Sequence, residues 1–385
     1  MWEAHGMNTR YIEDCVTADL SEKMVFIGGP RQVGKTTCAL SMLPENQDET
    51  SPAYLNWDLL EDRERIIAAQ LPPNEKLVIL DEIHKYVKWR NLVKGLYDKN
   101  RSSVSFLVTG SARLDYYRKG GDSLQGRYHY HRLHPFSATE LTTTPDAATV
   151  DQLLQFGGFP EPFLKATDRF HRRWLREHAH RVIHEDLGDL ENVKEISNLD
   201  LLLHHLPACV GSPLSVNRLS KLLQVAPQTV DRWLTIFERL YLCYRIPPFG
   251  GARIRAVRKE KKLYFWDWSR VPQPGPRFEN MVAGHLLKYC HWQEDTEGYE
   301  MELRYVRDTD KREIDFVVLR DGSPEFAVEC KTGDRSASPA CHYFRERTDI
   351  PRFYQVHLGE KSFGNADSAT LVLPFSSFCQ ELALP

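Results

Sequence analysis

The sequence predicts an α/β protein in which a parallel-sheet, phosphate-binding domain precedes a helical middle and a second α/β domain. Three observations carry that expectation. The short apolar strand Val25–Ile27 runs directly into Gly29-x-x-x-x-Gly34-Lys35-Thr36. The segment 76–84 holds a continuous apolar run that ends on Asp81 and Glu82. Beyond residue 300, strand-like segments recur at 301–307, 312–319 and 325–331. With 385 residues, the chain is long enough for two or three domains.

Composition narrows the class. A hydrophobic fraction of 42% and a charged fraction of 27% are ordinary for a globular protein. No uncharged apolar run approaches the ~18 residues a membrane helix requires, so a spanning protein is excluded. Glu3, Glu13, Asp14 and Asp19 interrupt the first twenty residues, which predicts no secretory leader. Eight cysteines without a C-x-x-C pair disfavour a zinc ribbon and predict free thiols in a cytoplasmic protein. Fifty basic against 53 acidic residues give −3, so any surface for nucleic acid must be local.

The element order follows from this frame. Gly29 and Gly34 let the backbone of Pro30–Thr37 curl so that its N–H groups face phosphate oxygens at a helix start. Within that stretch lie Arg31, Gln32 and Val33. Lys35 is expected to reach the β/γ-phosphates of ATP and Thr36 to ligate Mg²⁺, followed by Thr37. The run before Asp81 reads as a strand buried on both faces. At its carboxyl end Asp81 is placed to hold Mg²⁺ and Glu82 to polarise water. Strands are also expected at 53–57, 105–108 and 128–133, completing a doubly wound domain over 7–145. Thr109 and Ser111 are candidates to touch the γ-phosphate or align water, and Arg113 and Arg127 to neutralise charge.

On Gly-Pro-Arg-Gln-Val-Gly-Lys-Thr-Thr, Leu-Asp-Glu-Ile-His and Thr-Gly-Ser-Ala-Arg, the chain resembles the AAA-type P-loop ATPases. More narrowly it resembles a bacterial and archaeal family that joins such an ATPase to a C-terminal part of unassigned function. The later segments Gly-Gly-Phe-Pro-Glu (157–161) and Leu-Tyr-Phe-Trp-Asp (263–267) also match it.

Clustered Ser, Thr and Pro at 136–150 mark a boundary, so the first domain is read as 1–145 and a helical lid as 146–207. His171, His178, His180 and His184 fall on one predicted helix. Arg181 stands where a metalloprotease pattern needs Glu, so these are read as a packed or solvated face. Residues 208–262 read as a winged helix-turn-helix. Leu219, Leu222 and Leu223 precede a turn, and Val230, Trp233, Leu234 and Phe237 share one face of a second helix. Gln228, Thr229, Asp231, Arg232 and Thr235 are groove-reading types on its other side. A basic run, Arg253, Arg255, Arg258, Lys259, Lys261 and Lys262, is expected to neutralise phosphates or to be a solvated loop.

The last domain, 263–385, contains a helix from Arg277 and the strands noted above. Glu329 and Lys331 leave one face of their strand. With Asp315, and Glu279 from the helix, they have the parts for metal-assisted phosphodiester hydrolysis, Lys331 orienting or deprotonating water. The order Glu…Asp-x₁₃-Glu-Cys-Lys resembles the restriction-endonuclease-like superfamily, and implies its fold. A shared metal requires Asp315 and Glu329 on one sheet face. A plain two-residue Asp321-Gly322 turn would separate them, so an odd-length loop or a bulge is expected. The reading is therefore a cytoplasmic Mg²⁺-dependent ATPase carrying a winged helix and a restriction-endonuclease-like domain and acting on nucleic acid, DNA more than RNA. Metal-dependent cleavage by the C-terminal domain and self-association are left open, and no membrane partner is expected. The alternative is an ATP-switched binding protein that cuts nothing.

Overall fold

The computed structural model describes residues 9–44, 48–110, 124–142, 144–186, 196–250, 260–333, 336–364 and 370–385. The chain divides into two compact units that part between His134 and Pro135.

In the first unit, β1 (Met24–Gly28), β2 (Tyr54–Asn56), β3 (Leu77–Asp81), β4 (Ser105–Thr109) and β5 (Tyr128–Arg132) form one sheet in the order β2-β3-β4-β1-β5. Every pairing is parallel. Helix α1 (Glu13–Asp19) precedes β1, and crossovers between the parallel strands are supplied by α2 (Lys35–Leu40), α3 (Leu60–Ile67) and α4 (Trp89–Asn100). Sheet residues Val25, Ile27, Val78, Leu80, Leu107 and Val108 have no exposed surface, as expected of strands covered on both faces. Trp89, Val93, Leu96 and Tyr97, at helical spacing, turn one side of α4 into the same core as Phe26 and Leu80. The register Ile27↔Thr109 and Asp81↔Thr109 aligns three strand ends at one edge of the sheet.

The second unit opens with helices α5 (Ala138–Leu141), α6 (Ala147–Phe156), α7 (Pro160–Lys165), α8 (Asp168–Arg181) and α9 (Ile196–His205). A boundary near 145 was expected, but α5 belongs to this unit for identifiable reasons. Ser137 and Thr139 hydroxyls donate to the carbonyls of Pro385 and Leu384. The Ala138 N–H donates to His285 Nε2 at 3.1 Å, and Glu140 pairs with Lys288 Nζ at 2.6 Å.

Two helices at a tight turn follow, α10 (Val216–Leu223) and α11 (Pro227–Arg239). Ser215 caps α10 by accepting from the Arg218 N–H, and Pro227 starts α11 where a missing N–H costs nothing. Strands β6 (Cys243–Ile246) and β7 (Lys262–Phe265) then pair antiparallel as a ribbon. Most of the basic run, 253–259, lies outside the described residues.

A long helix, α12 (Pro274–Glu297), leads to a second sheet of β8 (Met301–Arg307), β9 (Glu313–Arg320), β10 (Ser323–Lys331), β11 (Phe353–His357) and β12 (Thr370–Pro374). Its order is β12-β11-β10-β9-β8, antiparallel from β8 to β10 and parallel from β10 to β12. Helices α13 (Pro339–Arg345) and α14 (Phe375–Glu381) complete it.

The β9–β10 hairpin contains both features that the parity of the strands had set against each other. Asp321 (φ 50°) and Gly322 (φ 77°) make a two-residue turn that pairs Ser323 with Arg320. The register then shifts between Pro324 and Phe326, leaving Glu325 as an extra residue. Pro324, which has no N–H to give, tolerates that break. From Phe326↔Val318 the pairing runs to Val328↔Phe316, and one further step sets Glu329 opposite Asp315. The bulge thus restores the shared face that the turn alone would have denied.

Candidate functional site

At the carboxyl end of β1 the loop 28–34 takes left-handed backbone at Gln32 (φ 62°) and Gly34 (φ 95°), with φ 138° at Gly29. A Cβ on Gly29 would stand 2.4 Å from the Leu133 carbonyl oxygen, so only glycine fits. Lys35 Nζ lies in the curl and donates to the Gly29 carbonyl at 3.1 Å and the Pro30 carbonyl at 2.6 Å. Gln32 Oε1 is buried and has no hydrogen-bond partner among the described residues. A residue outside the motif braces the loop. The buried Arg10 guanidinium donates to Val33 O at 2.9 Å and to His134 O at 2.6 Å.

Asp81, at the end of β3, is the hub of this edge. Thr36 Oγ1 donates to its Oδ2 at 2.9 Å, and Tyr54 O–H donates to the same oxygen at 2.7 Å. Thr109 Oγ1 donates to Oδ1. Thr109 has no exposed surface, so its hydroxyl orients Asp81 rather than meeting a phosphate, which corrects that expectation. Tyr54 was not singled out from sequence, although its place at the end of a strand parallel to β3 was the available signal. Burial and the Asp81 charge push the Tyr54 phenol well above its ordinary value, so it remains a donor.

Glu82 follows in the left-handed region at φ 56°, a conformation that costs a non-glycine residue about 1–3 kcal/mol and gathers at functional positions. Burial raises its carboxyl pKa, as does Asp81, while Lys35 and Lys85 oppose the rise. Lys85 Nζ stands 3.4 Å from Glu82 and 2.5 Å from Asp58. The residues present fit Mg²⁺-ATP, because a curled loop with its lysine inside faces a hydroxyl–carboxylate pair, Thr36 and Asp81. Ser111 and Arg113 lie outside the described residues. Arg127 is misplaced for a nucleotide in its own chain. Its carbonyl accepts from Met24 N–H at the opposite end of β1, and its guanidinium grips Asp98 at 2.8 and 3.2 Å.

In the second unit, Glu279, Asp315, Glu329 and Lys331 do converge, but they surround a residue that sequence reading had left in the solvent. Lys262, the last member of the basic run, has no exposed surface. Its ammonium stands 2.5 Å from Glu313, 3.0 Å from Glu279 and 3.2 Å from Asp315. Burial opposes that charge, but the Glu279, Asp315 and Glu313 carboxylates outweigh it and hold the lysine protonated. The Tyr264 hydroxyl donates to Glu279 at 2.7 Å, Cys330 N–H donates to Asp315 Oδ2 at 2.9 Å, and Lys331 binds Glu329. Burial, with the Asp315 charge, raises Glu279 to about 7 and Glu329 to about 8. Among the described residues no three His, Cys, Asp or Glu side chains are disposed to hold a metal. The assignment of Glu279, Asp315 and Glu329 as metal ligands, with Lys331 beside a metal-bound water, therefore does not fit: an ammonium fills the centre.

On the helix pair, Gln228 and Arg232 are exposed along α11. Asp231, which is exposed, and Thr235 are engaged by a neighbouring strand. Arg245 on β6 reaches Asp231 at 2.5 Å, Glu238 at 2.7 Å and the Thr235 hydroxyl at 3.3 Å. The four histidines of α8 and its extension split as a helix face should. His171 meets Ser269 Oγ at 2.8 Å and His178 accepts from Arg270 at 3.0 Å, while His180 and His184 stack their rings on the outside.

A parallel sheet ordered β2-β3-β4-β1-β5, with a curled lysine loop after β1 and an acid pair after β3, defines an AAA-type P-loop ATPase domain. Residues 21–142 match the family model of an AAA domain. Residues 147–271 and 274–378 match two domains of unknown function, DUF8612 and DUF4143. The chain is 21% identical over 334 residues to the uncharacterized protein MJ1544 of Methanocaldococcus jannaschii, covering 78% of this chain and 73% of that one. It is 20% identical over 382 residues to MJ1637 of the same organism, covering 82% and 77%. Among solved structures it is similar to the Thermotoga maritima RuvB Holliday junction branch migration motor (18% identity, 61% of this chain and 89% of that one, TM-score 0.32). It is also similar to the Aeropyrum pernix ORC1 protein in complex with DNA (13%, 73% and 92%, TM-score 0.34). Superpositions this distant do not bear on function. No described helix is long and apolar enough to cross a membrane.

Proposed function

We propose that this protein hydrolyses ATP and couples turnover to binding nucleic acid, DNA more than RNA, in the cytoplasm. The carrying observation is the convergence of Lys35, Thr36, Asp81 and Glu82 at one sheet edge. Magnesium, when bound, would neutralise phosphate charge. The chain's own residues do the rest. Lys35 binds phosphate, Thr36 and Asp81 hold the cation, and Thr109 and Tyr54 fix the Asp81 carboxylate. Glu82, a stronger base for its burial, accepts a proton from the attacking water. Glu82→Gln should keep ATP binding while slowing turnover about 100-fold or more, read by a fluorescent-nucleotide titration beside a phosphate-release assay. Hydrolysis at the wild-type rate would remove Glu82 from this role.

The nucleic-acid half of the reading is supported by the helix pair α10–α11 and the β6–β7 ribbon, the arrangement of a winged helix. Arg218, Lys221, Arg232 and Arg239 are exposed cations on its two helices. A second reading concerns the C-terminal domain, whose sheet and acids support a restriction-endonuclease-like fold. One observation favours a domain that binds and does not cut, namely the Lys262 ammonium among the carboxylates. Incubation of the full chain with duplex and single-stranded DNA, with Mg²⁺ or Mn²⁺ and ATP, should leave both intact. Cleavage that disappears in Lys331→Ala would favour a nuclease.

A further inference from the structure

Lys262 is the first residue of β7, pairing with Ile246 across the ribbon, and its side chain enters the C-terminal sheet. Three carboxylates from two elements, Glu279 on α12 and Glu313 and Asp315 on β9, point at one nitrogen. Other donors occupy much of what remains of the acids. Asp315 Oδ2 accepts the Cys330 N–H, Glu279 Oε1 also accepts from Tyr264, and Glu329 Oε1 meets Lys331. Glu313 gives its second oxygen to Arg307 at 2.8 Å. Glu329 Oε2 is buried and lacks a hydrogen-bond partner among the described residues. Mg²⁺ takes about six oxygens at about 2.1 Å, usually one or two carboxylates with waters for the rest. Here the ammonium already stands against the carboxylate oxygens that would lead that shell.

We propose that Lys262 permanently takes the place of the divalent cation that the Glu…Asp…Glu-x-Lys pattern implies, making this cluster a metal-free ammonium–carboxylate lock between the ribbon and the C-terminal sheet. A lysine and a divalent ion cannot share the centre, because both would stand within about 3 Å of the same oxygens with nothing between them to screen like charges. The lysine is covalently delivered at the start of a paired strand, so its local concentration exceeds that of any free ion. Removing the ammonium while keeping the acids should convert the lock into a metal site. The inference deepens the non-cutting reading, but it concerns cation binding alone and is measured without nucleic acid. A protein that binds no metal yet fails to bind DNA would sink that reading and leave this inference standing.

The test is Mn²⁺ titration of the nucleotide-free full-length protein, with free Mn²⁺ read by electron paramagnetic resonance. Wild type and Asp315→Asn should bind equal numbers of Mn²⁺. Lys262→Met should gain one saturable site, at least ~10-fold tighter than any residual wild-type binding. Adding Asp315→Asn to it should abolish that site. One Mn²⁺ fewer in Asp315→Asn than in wild type would overturn the proposal, as would a folded Lys262→Met that gains none. If Lys262→Met does not fold, Lys262→Gln takes its place, and if neither folds the comparison of wild type with Asp315→Asn decides.

Discussion

Asp81 and Asp315 invite direct comparison. Both sit in sheets, both are nearly buried at 4% and 9% exposure, and both stand beside a second acid that burial has made more basic. What differs is the company. Asp81 is held by three hydroxyls, from Thr36, Tyr54 and Thr109, which carry no net charge. Asp315 is held by an ammonium and a backbone N–H. Hydroxyls orient a carboxylate and leave its charge available to an incoming cation, whereas an ammonium cancels it on the spot. Equal burial therefore does not make equal sites; the charge of the nearest donor decides.

Matched substitutions sharpen the contrast most. Asp81→Asn retains hydrogen-bonding capacity toward its hydroxyls, so the fold should survive while ATP turnover falls about 100-fold or more. Asp315→Asn should reverse that pattern, sparing turnover and destabilising the second unit by about 3 kcal/mol or more, because a buried ammonium is deprived of a partner. Scanning calorimetry beside a phosphate-release assay separates the two outcomes. Equal behaviour of the two variants would break the comparison.

Next in size is a pH effect confined to the second unit. Burial lowers His285 to about 4, and the ring stays neutral, Nδ1–H donating to Met281 O while Nε2 accepts from Ala138 N–H. Between pH 6.5 and about 4 the unfolded chain binds this proton and the native one does not. Stability contributed by the neutral ring is therefore complete above about 6.5 and is lost as pH falls, by up to about 3 kcal/mol. Denaturant midpoints of wild type and His285→Gln should converge across that window. Parallel curves would assign the acid sensitivity elsewhere.

The smallest effect tests the exposed cations. Arg218→Ala with Arg232→Ala should weaken DNA binding at every sequence and flatten the log–log salt slope by about 0.9 for each phosphate no longer neutralised. Fluorescence anisotropy at several salt concentrations reads both quantities. An unchanged slope would leave α10 and α11 as scaffold.

The ATP-binding edge was legible because its chemistry is local. Gly29 through Thr36 are contiguous, and Asp81 ends an apolar run that has only one good placement. The β9–β10 face was legible through parity, since the Asp-Gly turn and the need for Asp315 to meet Glu329 together demanded an extra residue, found at Glu325. Lys262 was not legible. A lysine closing a basic run looks solvated, and its partners Glu279 and Asp315 lie 17 and 53 residues away. Arg127 misled because proximity to a glycine says nothing about which end of a strand a side chain occupies. Asp231 and Thr235 share hydrogen bonds with Arg245, a contact that sequence spacing does not show because its strand folds back onto the helix.

The extra residue at Glu325 also fixes where this sheet tolerates a change of length. On one side β10 is keyed to β9; on the other it lies beside β11 from Ala327↔Phe353 to Lys331↔His357. Because Glu325 pairs with nothing in β9, deleting it would let Pro324↔Leu319 run straight on to Phe326↔Val318, with Glu329 still opposite Asp315 and β11 still in step. Insertions at Asp321-Gly322 likewise fall ahead of the paired stretch and leave both alignments beyond it intact. The hairpin tip and the bulge are thus free to drift in length over time, whereas Ala327–Lys331, held in register against β11, are bound to their count.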